Sequence, residues 1–185
     1  MRKFFVGSAL VCALLVNTLA APAAQTNFAG AWALNKSKST DLPPQWSNLE
    51  SLTLTVTQDA QQIVVASEMK RTPDANAGGG GGMGGGGRGM GGFPPSTTYK
   101  LDGTETTAEA MGGRGGTSTM KAEWKDGGKT LALKRVSKFN FQGSDVTATT
   151  TEDWSLSADG KTLTIKRSSE SPRGSQTSTL VFDKK

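Results

Sequence analysis

Two arginines and one glutamate carry the chemistry this sequence offers. Arg135 and Arg167 each stand two residues beyond an aliphatic of an alternating run, Leu133 and Ile165, and Glu152 stands two residues before Trp154. A period of two puts such residues on one face of a strand. All three are therefore expected to face inward with the aliphatics. Guanidinium groups hold anions through forked N–H donors. A carboxylate between two of them is held ionised rather than tuned as a general acid. The 185 residues include no histidine, and the single cysteine, Cys12, lies in an N-terminal apolar run. Histidine triads, histidine-ligated zinc and histidine-ligated haem are thereby excluded. The expectation is a protein that is not an enzyme, with no cofactor and no metal, whose inward arginines hold an anion or are compensated within an internal network.

The elements that would position these residues are two hairpins of one pattern. Trp124-Lys-Asp-Gly-Gly-Lys-Thr-Leu131-Ala-Leu133-Lys-Arg135 is followed by Trp154-Ser-Leu156-Ser-Ala-Asp-Gly-Lys-Thr-Leu163-Thr-Ile165-Lys-Arg167. Each is an alternating strand, a tight Asp/Gly turn and another alternating strand, the sequence form of a β-hairpin. A turn at Asp159-Gly160 sets Leu156 opposite Leu163, Trp154 opposite Ile165 and Glu152 opposite Arg167. A turn at Gly127-Gly128 sets Trp124 opposite Leu131, Ala122 opposite Leu133 and Met120 opposite Arg135. A four-residue loop at 142–145 then sets Leu131 opposite Leu156, Leu133 opposite Trp154 and Arg135 opposite Glu152. The interior is thus expected to run in rows, from a dry base (Trp124, Leu131, Leu156, Leu163; then Ala122, Leu133, Trp154, Ile165) to a belt (Met120, Arg135, Glu152, Arg167). A hydroxyl-lined mouth (Ser118, Ser137, Thr150, Ser169) lies above. Two buried arginines with one carboxylate leave a positive charge that is costly to bury alone. An anionic ligand, water or a carboxylate from another strand would each compensate it, and an internal network ranks ahead of a ligand.

The N-terminal segment reads as a secretory signal peptide spanning residues 1–23. Arg2 and Lys3 precede an apolar run over 4–16, and Ala21-Pro22-Ala23 supplies a small-residue cleavage pattern. Cleavage there leaves 162 residues, enough for one domain with its own core. The mature chain, 24–185, would have no cysteine, and its formal charge falls from +5 to +3. Lysines and arginines scattered along outward strand faces make nucleic acid an unexpected partner. A secreted or periplasmic location is expected, with no stable membrane insertion after cleavage.

Taken in order, the chain shows ten alternating runs. Their connections alternate between tight ones, at Asp59-Ala60, Asp102-Gly103, Gly127-Gly128 and Asp159-Gly160, and longer ones at 35–51, 72–95, 111–116, 142–145 and 171–175. The stretch 72–95 is Gly/Met-rich with Met83, Arg88, Met90 and Phe93, and reads as a flexible loop. It lacks the Gly-Lys-Ser/Thr ending of a phosphate cradle. A shorter patch holds Met111 and Arg114. The fold class expected is all-β: an antiparallel up-and-down meander of about ten strands that closes into a barrel and so removes its edges.

Phe28-x-Gly30-x-Trp32-x-Leu34 at the start of the first strand, followed by a crossover and a long meander, resembles the calycins, the lipocalin and fatty-acid-binding-protein group. Ten strands and the terminal Thr179-Leu180-Val181-Phe182-Asp183-Lys184 are closer to the fatty-acid-binding branch. The resemblance implies ligand entry beside the crossover and the third and fifth strand connections, where the two Met/Gly/Arg loops fall. The last strand departs from that branch, because 176–182 lacks its Arg-x-Tyr pair. Ligand class is therefore not carried over.

The expected function is an exported, non-catalytic barrel that binds a small amphiphilic or hydrophobic molecule, an anionic one included. Its ligand-binding residues would be Arg135, Glu152, Arg167, Met120, Trp154, Ser137, Thr150 and Ser169. Its portal would be Met83, Arg88, Met90, Phe93, Met111 and Arg114. The competing expectation is a structural or interaction module of the cell envelope, its barrel filled by side chains. A continuous cavity above the Trp154 row favours binding, and a packed interior favours the module.

Overall fold

The computed structural model describes residues 25–72, 93–109, 116–141 and 143–185. Ten antiparallel strands follow one another in chain order: β1 (Gly30–Leu34), β2 (Leu49–Gln58), β3 (Gln62–Arg71), β4 (Ser96–Lys100), β5 (Thr106–Glu109), β6 (Gly116–Lys125), β7 (Thr130–Phe141), β8 (Ser144–Leu156), β9 (Thr162–Ser171) and β10 (Gly174–Lys184). Their order in the sheet is β4-β3-β2-β1-β10-β9-β8-β7-β6-β5, so first and last strands pair and the sheet curls into a nearly closed barrel. The seam lies between β4 and β5, which share no ladder, although β4 comes up against β6. This is the up-and-down meander expected from the alternation and implied by the resemblance to the fatty-acid-binding branch. The 35–48 connection contains a single 3₁₀ turn, Pro44–Trp46.

The inward alternates make the core. Trp32, Leu52, Leu54, Ile63, Leu131, Trp154, Leu163, Ile165, Leu180 and Phe182 are all buried. Trp32 is locked locally as well, donating its indole N–H to the Phe28 carbonyl at 3.0 Å while the Lys184 ammonium sits 5.3 Å from its ring centroid. The tight-turn end is sealed by the segment that leads into β1. The Thr26 amide donates to the Gly128 carbonyl at 2.8 Å, and Phe28 stacks on Trp124 at 6.1 Å and meets Trp154 edge-on at 5.9 Å.

Two hairpin registers come out as the turns dictate. Leu156 opposes Leu163, Trp154 opposes Ile165 and Glu152 opposes Arg167; Trp124 opposes Leu131, Ala122 opposes Leu133 and Met120 opposes Arg135. The register between β7 and β8 does not. Leu131 opposes Trp154, Leu133 opposes Glu152 and Arg135 opposes Thr150. The connection is a two-residue turn, with Phe141 paired to Ser144, rather than a four-residue loop. Gly143 takes a positive φ of 82° there, and Asn140 accepts its amide at 2.9 Å. A glycine with φ above zero is what a two-residue hairpin loop requires. The shift of two keeps every side chain on its expected face but moves β8 and β9 along by one row.

The expectation of a free loop over 72–95 also fails at its far end. The Ser67 amide donates to the Pro95 carbonyl at 2.9 Å and the Ser67 hydroxyl to the Pro94 carbonyl at 2.7 Å. Both bonds pin the chain to β3 and turn Phe93 into the core. Met83, Arg88, Met90, Met111 and Arg114 lie outside the described residues.

Candidate ligand site in the barrel interior

The belt residues share the interior, in a different arrangement from the expected row. Glu152 is 8% exposed and Arg167 4%. The Arg167 Nε lies 3.5 Å from Glu152 Oε1, and the Trp154 indole N–H donates to Glu152 Oε2 at 2.9 Å. Both carboxylate oxygens are thus engaged, one by a cation two strand positions above the base and one by the tryptophan below. Burial pushes the Arg167 guanidinium below its usual range, with Glu152 opposing that shift. A pair so far from water is held by mutual neutralisation, and its net contribution to stability is small compared with the cost of breaking it.

Arg135 is the residue this network leaves over. It faces inward between Met120 and Thr150, partly buried, and among the described residues it makes no ion pair. With Glu152, Thr150 and Tyr99 it borders a small void of about 10 Å³. That is room for about one water molecule. Met120 is buried beside Arg135, and Trp154 is fully buried as part of the floor. Above them Ser137 bonds the Ser118 hydroxyl at 2.9 Å, while Thr150 pairs with Ser169. The hydroxyl row is therefore split: Ser118 and Ser137 continue to Ala148, and Thr150 and Ser169 lie level with Arg135.

Two further residues complete the site. Tyr99 enters from β4, buried, and its phenol is pushed above its usual range chiefly by burial, with Glu152 adding to the shift. Alternation (Thr97, Tyr99, Leu101) signals its inward direction, but no repeated hairpin ties β4 to the belt rows. Phe93 was expected at the portal and lies instead inside the barrel mouth. Its ring centroid is 4.6 Å from the Arg167 guanidinium carbon, 6.4 Å from Phe182 edge-on and 6.3 Å from Trp46. No pattern in 72–95 distinguishes it, beyond its being an aromatic next to Pro94-Pro95.

Tyr99 is the chain's single tyrosine, which makes its burial directly measurable. Ultraviolet titration of the folded protein should give no tyrosinate at pH values where a free phenol, with a pKa of about 10, ionises. The neutral form is favoured on folding. This contribution is present below the unfolded-state pKa and is lost as pH rises from there through the raised folded value. An ordinary titration near pH 10 with the fold intact would contradict the buried position.

No family model matches the sequence, and no curated protein does. Among solved structures the chain is similar to the zebrafish ileal bile acid-binding protein, crystallised with cholic acid. The identity is 11% and the TM-score 0.47, with 85% of this chain and 98% of that one covered.

Proposed function

We propose that the protein is an exported, non-catalytic barrel that binds a small amphiphilic anion in its interior, with Arg135 as the anchor for the charged group. The observation that carries this reading is the charge left over at the belt. Glu152 is taken up by Arg167 and Trp154, whereas Arg135 borders the interior void with no acidic partner among the described residues. A carboxylate or sulfonate placed there would gain a forked, charge-assisted hydrogen bond. The apolar part of the ligand would lie among the mouth residues, where Phe93 sits in this structure. Arg2, Lys3 and the apolar run after them support export.

A second reading has its own observation. The interior void is only about 10 Å³, so with Phe93 in place the barrel is filled by its own side chains. By the interior-volume criterion this favours an envelope module, and the binding reading requires Phe93 to withdraw. The two readings separate in a thermal melt with 2-naphthoate or decanoate. On the binding reading at least one of them raises the wild-type Tm by about 5 °C at saturation, because it favours the folded state. It raises that of Arg135→Gln by less than half as much. If neither compound shifts the wild type, the module becomes the better account.

A further inference from the structure

The barrel's own Phe93 indicates what kind of apolar body the site takes. The ring does not rest in a generic greasy cleft. A guanidinium covers it at 4.6 Å, Phe182 meets it edge-on at an interplanar angle of 86°, and Trp46 leans over it at 35°. Each of these contacts is specific to a π system: a cation over the face and aromatic edges or faces at 6.3–6.4 Å. An alkyl chain in the same volume would gain burial but none of the three. One wall also carries an unused donor. Trp46 is buried, and its indole N–H has no acceptor among the described residues. A polar substituent on an aromatic ligand would supply one, and an alkyl chain would not.

We infer that the interior site selects a flat aromatic anion, whose ring takes the place of the Phe93 ring against Arg167, Phe182 and Trp46 while its acid group reaches Arg135. The inference rests on the binding reading and adds the ligand's chemical class to it. The geometry allows both contacts at once. Phe93 and Arg135 border the same void, so a ring in the Phe93 position lies beside it. The void alone holds about one water molecule, and the acid group also takes space that Phe93 vacates on withdrawing. Phe93 belongs to the connection before β4 and not to a strand. Its withdrawal therefore breaks no ladder.

Calorimetric titration of the full chain with 2-naphthoate and with decanoate tests this, in the wild type, Phe93→Ala and Phe93→Leu. The expected result is that 2-naphthoate binds Phe93→Ala at least tenfold more tightly than the wild type, because the competing ring is gone. It should also bind that variant at least tenfold more tightly than decanoate does. Phe93→Leu keeps apolar volume without a ring and should fall between the other two proteins. It gives the same comparison if the alanine variant does not fold. Decanoate binding as tightly as 2-naphthoate would overturn the aromatic preference and leave the binding reading standing. Equal affinity of 2-naphthoate for all three proteins would show that it does not replace the ring, and would also overturn the inference. No binding of either compound to any of them would remove the binding reading itself.

Discussion

Replacing Glu152 by alanine is expected to lower the unfolding free energy by about 3–5 kcal/mol, because removing one partner of a buried ion pair leaves the other charge uncompensated. Arg167 is the charge at stake: its side chain is 3% exposed, with Phe93 on one side and Glu152 at 3.5 Å on the other. The same substitution also removes the acceptor for the Trp154 indole. An exposed pair would lose roughly 0–1 kcal/mol, so the two arrangements differ by more than the error of a urea melt. Replacing both partners, Glu152→Leu with Arg167→Met, should cost less than Glu152→Ala, because no charge of the pair is then stranded and the remaining loss is that of the Trp154 indole's acceptor. A silent Glu152→Ala would mean that the belt is open to water.

Trp154→Ala is expected to cost about 3–5 kcal/mol, in the range for deleting a fully buried aromatic. Trp154 is 0% exposed and holds the floor between Phe28 and the belt. Trp154→Phe separates packing from hydrogen bonding. It keeps most of the ring but withdraws the donor from Glu152 Oε2, which should cost about 1–3 kcal/mol for a charged acceptor left short. Both values follow from denaturant melts. A double-mutant cycle with Glu152→Ala, which leaves no side-chain acceptor, should give a coupling of about 0.5–3 kcal/mol. Additivity of the two changes would show that the indole and the carboxylate do not share a bond.

The fold was legible because alternation and turn chemistry agree along most of the chain. Met120, Ala122 and Trp124 opposite Arg135, Leu133 and Leu131, and Glu152, Trp154 and Leu156 opposite Arg167, Ile165 and Leu163, follow from two Asp/Gly turns. The β7–β8 register was not legible for a definite reason. A one-residue slip reverses every face and would expose the core, whereas a two-residue slip leaves all faces unchanged. The apolar pattern is therefore blind to it. Only the turn geometry at Gly143 decides, and that geometry displaces Arg135 from Glu152 to Thr150. The consequence is chemical as well as topological. The expected trio becomes a closed pair with one arginine beside it. Tyr99 and Phe93 escaped because long-range closure brings them in: β4 pairs with β3 alone, and Phe93 is held by the Ser67–Pro94 and Ser67–Pro95 bonds rather than by any strand.

Arg135 is the proposed anion anchor inside the barrel. Calorimetric titration of the wild type and Arg135→Gln with 2-naphthoate at neutral pH tests it directly. Gln keeps polarity and much of the length while removing the charge, and Arg135 is outside the Glu152–Arg167 pair, so the variant should fold. The predicted result is one site per wild-type chain and an affinity at least tenfold weaker in Arg135→Gln, about 1.4 kcal/mol. Equal affinities in the two proteins, or no binding to the wild type, would contradict it.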